Sequence, residues 1–143
     1  MMILWTDGSA EPNPGPGGFA VILEQDDGSG VPVVLGREEN ATNIRMEGLA
    51  IMAAIKYANG ANAEIHTDSE FWINVLTKWA KVWEANGWKK KTGPIKNLDI
   101  VQELYALYYD SPVNLVWVRG HVGTELNEMA DEWANRAREG VEL

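Results

Sequence analysis

The stretch Met2–Ser9, "MILWTDGS", constrains the fold more than any other part of the chain. Its opening residues are continuously apolar, the pattern of a strand buried on both faces. Such a strand lies inside a sheet and needs a covering layer above and below, which implies an α/β arrangement. Yet it runs into Asp7, and the prolines and glycines of "EPNPGPGG" follow at once. A turn accounts for the small residues. It does not account for a carboxylate beside a core, because unpaired acids are seldom buried.

The rest of the chain alternates in a way that fits a central first strand. Gly18–Gln25 reads as a second strand, "DDGSG" as a hairpin turn, and Val31–Arg37 as a third strand. A helix is expected over Asn43–Asn59, stopped by Gly60. Ala63–Thr67 reads as a fourth strand, Ser69 to about Trp83 as helix in two pieces, and "NGWKKKTGP" as a loop. Leu98–Tyr109 reads as helix, Val113–Val118 as a fifth strand and Glu125–Arg138 as a last helix. Three meandering strands, then helices alternating with two more strands, give a five-stranded mixed sheet flanked by helices. The 143 residues suit one domain with one core, spanning 1–143. No apolar run is long enough to cross a bilayer, and no signal pattern opens the chain. The absence of cysteine removes disulfides and thiolate metal ligands, and fits an intracellular, cytoplasmic protein. A monomer without a membrane partner is expected.

Three further acids join Asp7. Asp68 closes "AEIHTD" at the carboxyl end of the fourth strand, where open α/β sheets tend to bind ligands. Glu47 falls among Ile44, Gly48, Ile51 and Ile55, the expected inward stripe of the first helix, and so points toward the sheet. Asp131 borders the stripe of Leu126, Ala130, Trp133 and Ala137 on the last helix. Asp7 shares a strand face with Ile3 and Trp5 by the period of two. Taken singly, Asp7 could mark a turn, Asp68 a helix start and Asp131 a solvated helix face. Those readings leave unexplained why all four point one way. Clustered carboxylates repel one another, and a divalent cation relieves the repulsion. An all-oxygen donor set suits a hard ion, Mg2+ or Mn2+.

Charge is unevenly spread. The net charge is −9, which by itself disfavours a polyanionic partner. Between Lys78 and Lys96, however, six lysines face one acid, Glu84, a net of +5 that leaves −14 on the remainder. One segment is basic on an acidic body.

The motifs "TDGS", "ATNIRMEGLAIMAAI", "IHTDSE", "GWKKKTGPIKN" and "WVRGHVGTELNEMADEWANRA", in this order and spacing, resemble those of type I ribonuclease H over about Ile3 to Ala137. The resemblance implies the ribonuclease H-like fold, with three antiparallel and two parallel strands in a mixed sheet. It implies an endonuclease that cuts the RNA strand of RNA–DNA hybrids with two Mg2+ ions, leaving 5′-phosphate and 3′-hydroxyl ends; Mn2+ is a possible substitute. Asp7, Glu47, Asp68 and Asp131 match the metal-binding carboxylates. His121, between Gly120 and Gly123, matches a loop histidine concerned with proton transfer or product release. Asn13, Thr42, Asn43, Trp79 and Asn127 match substrate contacts. The segment 78–96 matches a basic handle whose Lys81, Lys89, Lys90, Lys91 and Lys96 would meet hybrid phosphates without reading sequence. His66 matches no motif and reads as structural.

Three positions depart from the family pattern. Glu70 stands where many relatives carry glutamine, Ile44 replaces a common polar residue, and Val101 a common tryptophan. They imply weaker, more salt-sensitive hybrid binding. Integrases, transposases and junction resolvases share this fold and its acids, but usually lack the handle and the "RGHVG…NEMAD" ending. A binding module without catalysis would be favoured by loss of a core acid, and none is lost. An acidic domain that binds metal incidentally leaves Thr42, Asn43 and the clustered lysines unexplained.

Overall fold

The computed structural model describes residues 1–119 and 125–143. Its sheet has the order β3-β2-β1-β4-β5, so β1 (Met2–Ala10) is the central strand. β1 pairs antiparallel with β2 (Gly15–Glu24), and β2 with β3 (Gly30–Ala41). On its other side β1 runs parallel to β4 (Ala63–Thr67), which runs parallel to β5 (Val113–Trp117). This is the expected mixed sheet. The hairpin arm is longer than the sequence pattern indicates: β2 starts inside the glycine-proline run and β3 extends to Ala41. Ladder hydrogen bonds hold these polar, glycine-rich ends in strand conformation where side-chain alternation gives no signal.

Helices cover both faces. One is covered by α1 (Asn43–Ala58) and α4 (Leu98–Tyr109) together with the segment Glu70–Ala85. Their main core gathers Leu4, Val21, Ile51, Ile55, Ile65, Trp72, Val75, Leu76, Val101 and Leu104. On the other face α5 (Glu125–Arg138) covers Trp5 and Ile22 with Leu126 and Ala130. Burial on both faces explains the unbroken apolar character of β1. Among the described residues, no helix is long and apolar enough to cross a membrane.

The first helix is capped as its sequence requires. Thr42 accepts a hydrogen bond from the Arg45 amide at 3.1 Å, and Asn59 and Gly60 close the far end with positive φ. Its apolar stripe differs from the expected one. Gly48, Ile51 and Ile55 are buried, but Ile44 is 40% exposed and lines a cleft with Thr42 and Phe71.

Glu70–Ala85 is broken as expected, by a π-helical turn. α2 (Glu70–Asn74) passes into this turn at Val75–Trp79 and then into α3 (Ala80–Ala85). The wider turn keeps Val75, Leu76 and Ala80 buried while Trp79 turns outward at 40% exposure. Beyond α3, Trp83 and Trp88 pack against the main core and anchor the lysine-rich handle. Val101 is core, 1% exposed.

Gly8 sets how near α1 can come to β1. A Cβ at Gly8 would stand 2.2 Å from the Met46 carbonyl carbon and 2.3 Å from the Glu47 amide nitrogen, both backbone atoms that cannot swing aside. Gly8→Ala is expected to push α1 off the sheet, costing about 1–3 kcal/mol as overpacking does. It should also move Glu47 away from Asp7. Thermal melting and hybrid cleavage measure the two effects, and a variant matching wild type in both contradicts this packing argument.

Candidate active site

β1 and β4 are parallel neighbours, with Trp5 opposite His66. Their carboxyl ends therefore carry Asp7 and Asp68 side by side. Glu47 arrives from the first turns of α1, brought close by the contact at Gly8. Carboxylate oxygens of Asp7, Glu47 and Asp68 all lie within 4.8 Å of one another. Asp131, partly buried on α5, stands outside this trio but near enough for its charge to act on Asp7.

The trio is electrostatically strained. Burial pushes the Asp7 carboxyl up to about 9, helped by the charges of Asp68, Asp131 and Glu47 and opposed by the Gly8 amide. That amide donates to Asp7 Oδ1 at 2.9 Å. Burial likewise pushes Glu47 up to about 7; a hydrogen bond with the Ser69 side chain works against this, and the Asp68 charge adds to it. Three converging acids, oxygen-only donors and carboxyls this reluctant to ionise fit a hard divalent cation, which would stabilise the ionised forms.

A cleft of about 490 Å³ lies between the start of α1 and the handle. Asn13, Thr42 and Ile44 line one side of it, and Phe71, Trp79, Trp83, Lys90 and Lys96 the other. Lys90 lies 5.9 Å from the centroid of the Trp83 ring. Asn43 braces the wall: its Oδ1 accepts from the Ala10 amide at 2.7 Å, and its own amide donates to Asn13 Oδ1 at 3.1 Å. Capping and cleft lining are thus combined in Thr42 and its neighbour.

The other sequence candidates are distributed as follows. Lys81, Lys89 and Lys91 are exposed on the handle outside the cleft lining, and Glu70 is exposed at the start of α2. Asn127 is 6% exposed, buried on α5 with Ala130 and Ala134. His121 lies outside the described residues. His66 packs its ring on Trp5 with centroids 4.1 Å apart, consistent with a structural part.

Two groups escaped the sequence reading. Ser69 resembles a simple helix start, and nothing in its neighbours signals a bond to Glu47 across the fold. Arg45 sits one turn into α1 and ties three elements together, pairing with Glu38 of β3 at 2.7 Å and Asp99 of α4 at 3.2 Å.

Acids at the carboxyl end of the central strands, on a 3-2-1-4-5 mixed sheet with a basic lobe, define the class of ribonuclease H-like folds. The comparisons agree. The family model RNase H matches residues 1–139. A Ribonuclease H from Methylorubrum extorquens is 40% identical over 137 residues, covering 95% of this chain and 59% of its own length. Another, from Marinobacter nauticus, is 40% identical over 137 residues, covering 94% of this chain and 92% of its own length. Among solved structures, LC9-RNase H1, described as a type 1 RNase H with the type 2 active-site motif, superposes with a TM-score of 0.78 at 28% identity. That match covers 97% of this chain and 72% of the other. The chain belongs to the ribonuclease H family. It spans little more than half of the first of these relatives and nearly all of the second.

The raised carboxyls make the metal-free fold pH-dependent. Folded Asp7 keeps its proton to about pH 9, against an ordinary value of 3.8, so across that interval the folded state binds more protons than the unfolded. Stability without metal must then fall as pH rises from about 4 toward 9. Asp7→Asn removes the group. In EDTA its melting temperature at pH 8 is expected to equal or exceed that of wild type, and to fall less between pH 5 and pH 8. A steeper fall in the variant would falsify this electrostatic account.

Proposed function

We propose that this chain hydrolyses the RNA strand of RNA–DNA hybrids, with Asp7, Glu47, Asp68 and Asp131 holding two divalent cations, Mg2+ or in its place Mn2+. Membership of the ribonuclease H family makes it an endoribonuclease acting on such hybrids. The observation that carries the finer reading is the close trio of Asp7, which is buried, with half-buried Glu47 and Asp68, on a chain that also has a cleft of aromatic rings and lysines. When bound, the two cations would stabilise charge on the attacking and leaving oxygens of an in-line displacement at phosphorus.

The chain's own groups have separable parts in this reading. Asp7, Glu47 and Asp68, whose carboxylate oxygens lie within 4.8 Å of one another, would hold the cations. Asp131 completes the negative field from α5. Thr42, Asn43 and Asn13 offer hydroxyl, amide and carbonyl groups along one cleft wall, suited to RNA 2′-hydroxyls and the neighbouring backbone. Asn43 Oδ1 is already committed to the Ala10 amide, so its NH2 is the group turned to substrate. Trp79 gives an exposed ring for sugar or base stacking. Lys90 and Lys96 at the cleft, with Lys81, Lys89 and Lys91 further along the handle, meet phosphates. His121 serves proton traffic or product release, resting on the sequence motif around it.

Labelled RNA–DNA hybrid, double-stranded RNA and double-stranded DNA, incubated with Mg2+ or with EDTA, test the activity. Cleavage is expected only of the RNA strand of the hybrid, only with metal, giving 5′-phosphate and 3′-hydroxyl ends. Cyclic 2′,3′-phosphate products would mean that the 2′-hydroxyl, not water, attacks.

Replacing Lys89, Lys90 and Lys91 together with alanine is expected to raise KM far more than it lowers kcat. Contacts remote from the reacting phosphate bind ground and transition states alike. The slope of log K against log salt should also flatten, by up to ~0.9 per lost phosphate contact for a B-form duplex. A loss confined to kcat would place these lysines at the reacting centre instead.

A further inference from the structure

We propose that the hydrogen bond between Ser9 and Asn135 is a latch between β1 and α5, and that it sets how near Asp131 comes to Asp7. The latch rests on the metal-site reading above: the carboxylate that stands apart from the close trio is positioned by two residues that are not ligands.

Ser9 Oγ donates to Asn135 Oδ1 at 3.0 Å. Its two partners stand at matching offsets from two of the acids. On β1, Ser9 follows Asp7 by two, so their side chains share a face of the strand, roughly 6.7 Å apart along it. On α5, Asn135 follows Asp131 by four, so these two share a face of the helix, one turn and about 6 Å apart. Strand and helix run the same way, since Trp5 packs with Leu126 and Ala130 while Ser9 meets Asn135. Asp7 with Asp131 and Ser9 with Asn135 are therefore successive rungs between one strand and one helix. The rung below them is closed by the packing of Trp5 on Ala130. The rung between carries two acids, and the Asp131 charge acts on Asp7. Like charges push α5 away from β1, and the bond at the upper rung opposes that push.

The helix is seated for this bond. Ser9 pairs with Gly18 of β2, and a Cβ at Gly18 would lie 2.3 Å from the Arg138 amide nitrogen and 2.4 Å from the Ala134 carbonyl oxygen. The last turns of α5 thus rest directly on β2, level with Ser9. Arg138 Nη2 donates to the same Asn135 Oδ1 at 3.3 Å and lies 3.6 Å from Glu11 Oε2, just past the end of β1. Asn135 Oδ1 is held from two directions, using both its lone pairs. Ser9 and Asn135 are positioning residues, with no contact to substrate or cation required of them.

The test is binding of Mn2+ alone, by calorimetry on the full chain without nucleic acid, alongside hybrid cleavage as a function of Mg2+. Asp131→Asn is the reference, since it removes the carboxylate that the latch serves. Ser9→Ala is expected to weaken Mn2+ binding by about tenfold and to raise the Mg2+ needed for half-maximal cleavage similarly. Asn135→Ala, a substitution favourable to a helix, should do the same and carries the test should Ser9→Ala fail to fold. The double variant should lose no more than Asn135→Ala alone, because both changes break one bond. KM for the hybrid should change by less than about twofold, and kcat should recover at high Mg2+, since only metal occupancy is impaired. Ser9→Thr, which keeps the hydroxyl on a residue suited to strands, should bind Mn2+ as wild type does. In an Asp131→Asn background, Ser9→Ala should cause no further loss of Mn2+ affinity. Unchanged affinity in both single variants, where Asp131→Asn weakens it, overturns the latch alone. So does an equal loss in the Asp131→Asn background, which would mark a general loosening of α5. Full Mn2+ affinity in Asp131→Asn removes Asp131 from the ligands and the latch from its role. Failure of the wild-type chain to bind Mn2+ overturns the metal-site reading, and the latch with it.

Discussion

The closeness of α1 to the central strand at Gly8 is the constraint on which the rest of the site depends. A helix normally rides above a sheet at the distance its side chains demand. Here the Glu47 amide lies where a Cβ of Gly8 would be, so a side chain from the helix reaches the end of the strand. Gly48 repeats the device one residue further on, letting the helix settle on the Trp72 ring. Two missing side chains thus bring together three acids that would otherwise lie on separate surfaces.

That convergence has an energetic cost, and the fold places it where a cation can offset it. Asp7 and Glu47 are both buried enough to resist ionisation at neutral pH. A site so arranged favours the protonated forms until a divalent ion arrives, so affinity for the ion and instability without it share one origin. The Ser69 hydroxyl opposes this at Glu47 by favouring the charged carboxylate.

Charge is divided between parts of the molecule for a related reason. A chain of net charge −9 would repel a nucleic acid if its acids were spread evenly. The lysines are instead collected on the handle, and Trp83 and Trp88 fasten it to the core. The π-helical turn keeps Val75, Leu76 and Ala80 buried while turning Trp79 to the cleft. Two of these lysines, Lys90 and Lys96, line the cleft together with Trp79 and Trp83.

Much of this was legible in the sequence. The apolar strand ending in Asp7, the acid closing β4, the acid on the inner side of the first helix and the island of lysines each carry a local physical signature, either a period or a charge out of place. A mixed sheet with helices on its faces followed from the succession of elements, and the directions of its strands from the family resemblance; the strand order came from the structure. Other features were not legible because they depend on contacts between residues far apart in the chain. Ile44 fits the helical stripe by spacing, yet it is exposed at a cleft whose other lining residues come from distant parts of the chain. Ser69 reads as an ordinary cap, and only the approach of α1 supplies the carboxylate to which it bonds. By itself the sequence determined which residues bear the chemistry and on which elements they lie. The tertiary structure decided how near those elements come, because backbone approach at Gly8 and Gly48 is set by what is absent from a side chain and by what packs against the gap.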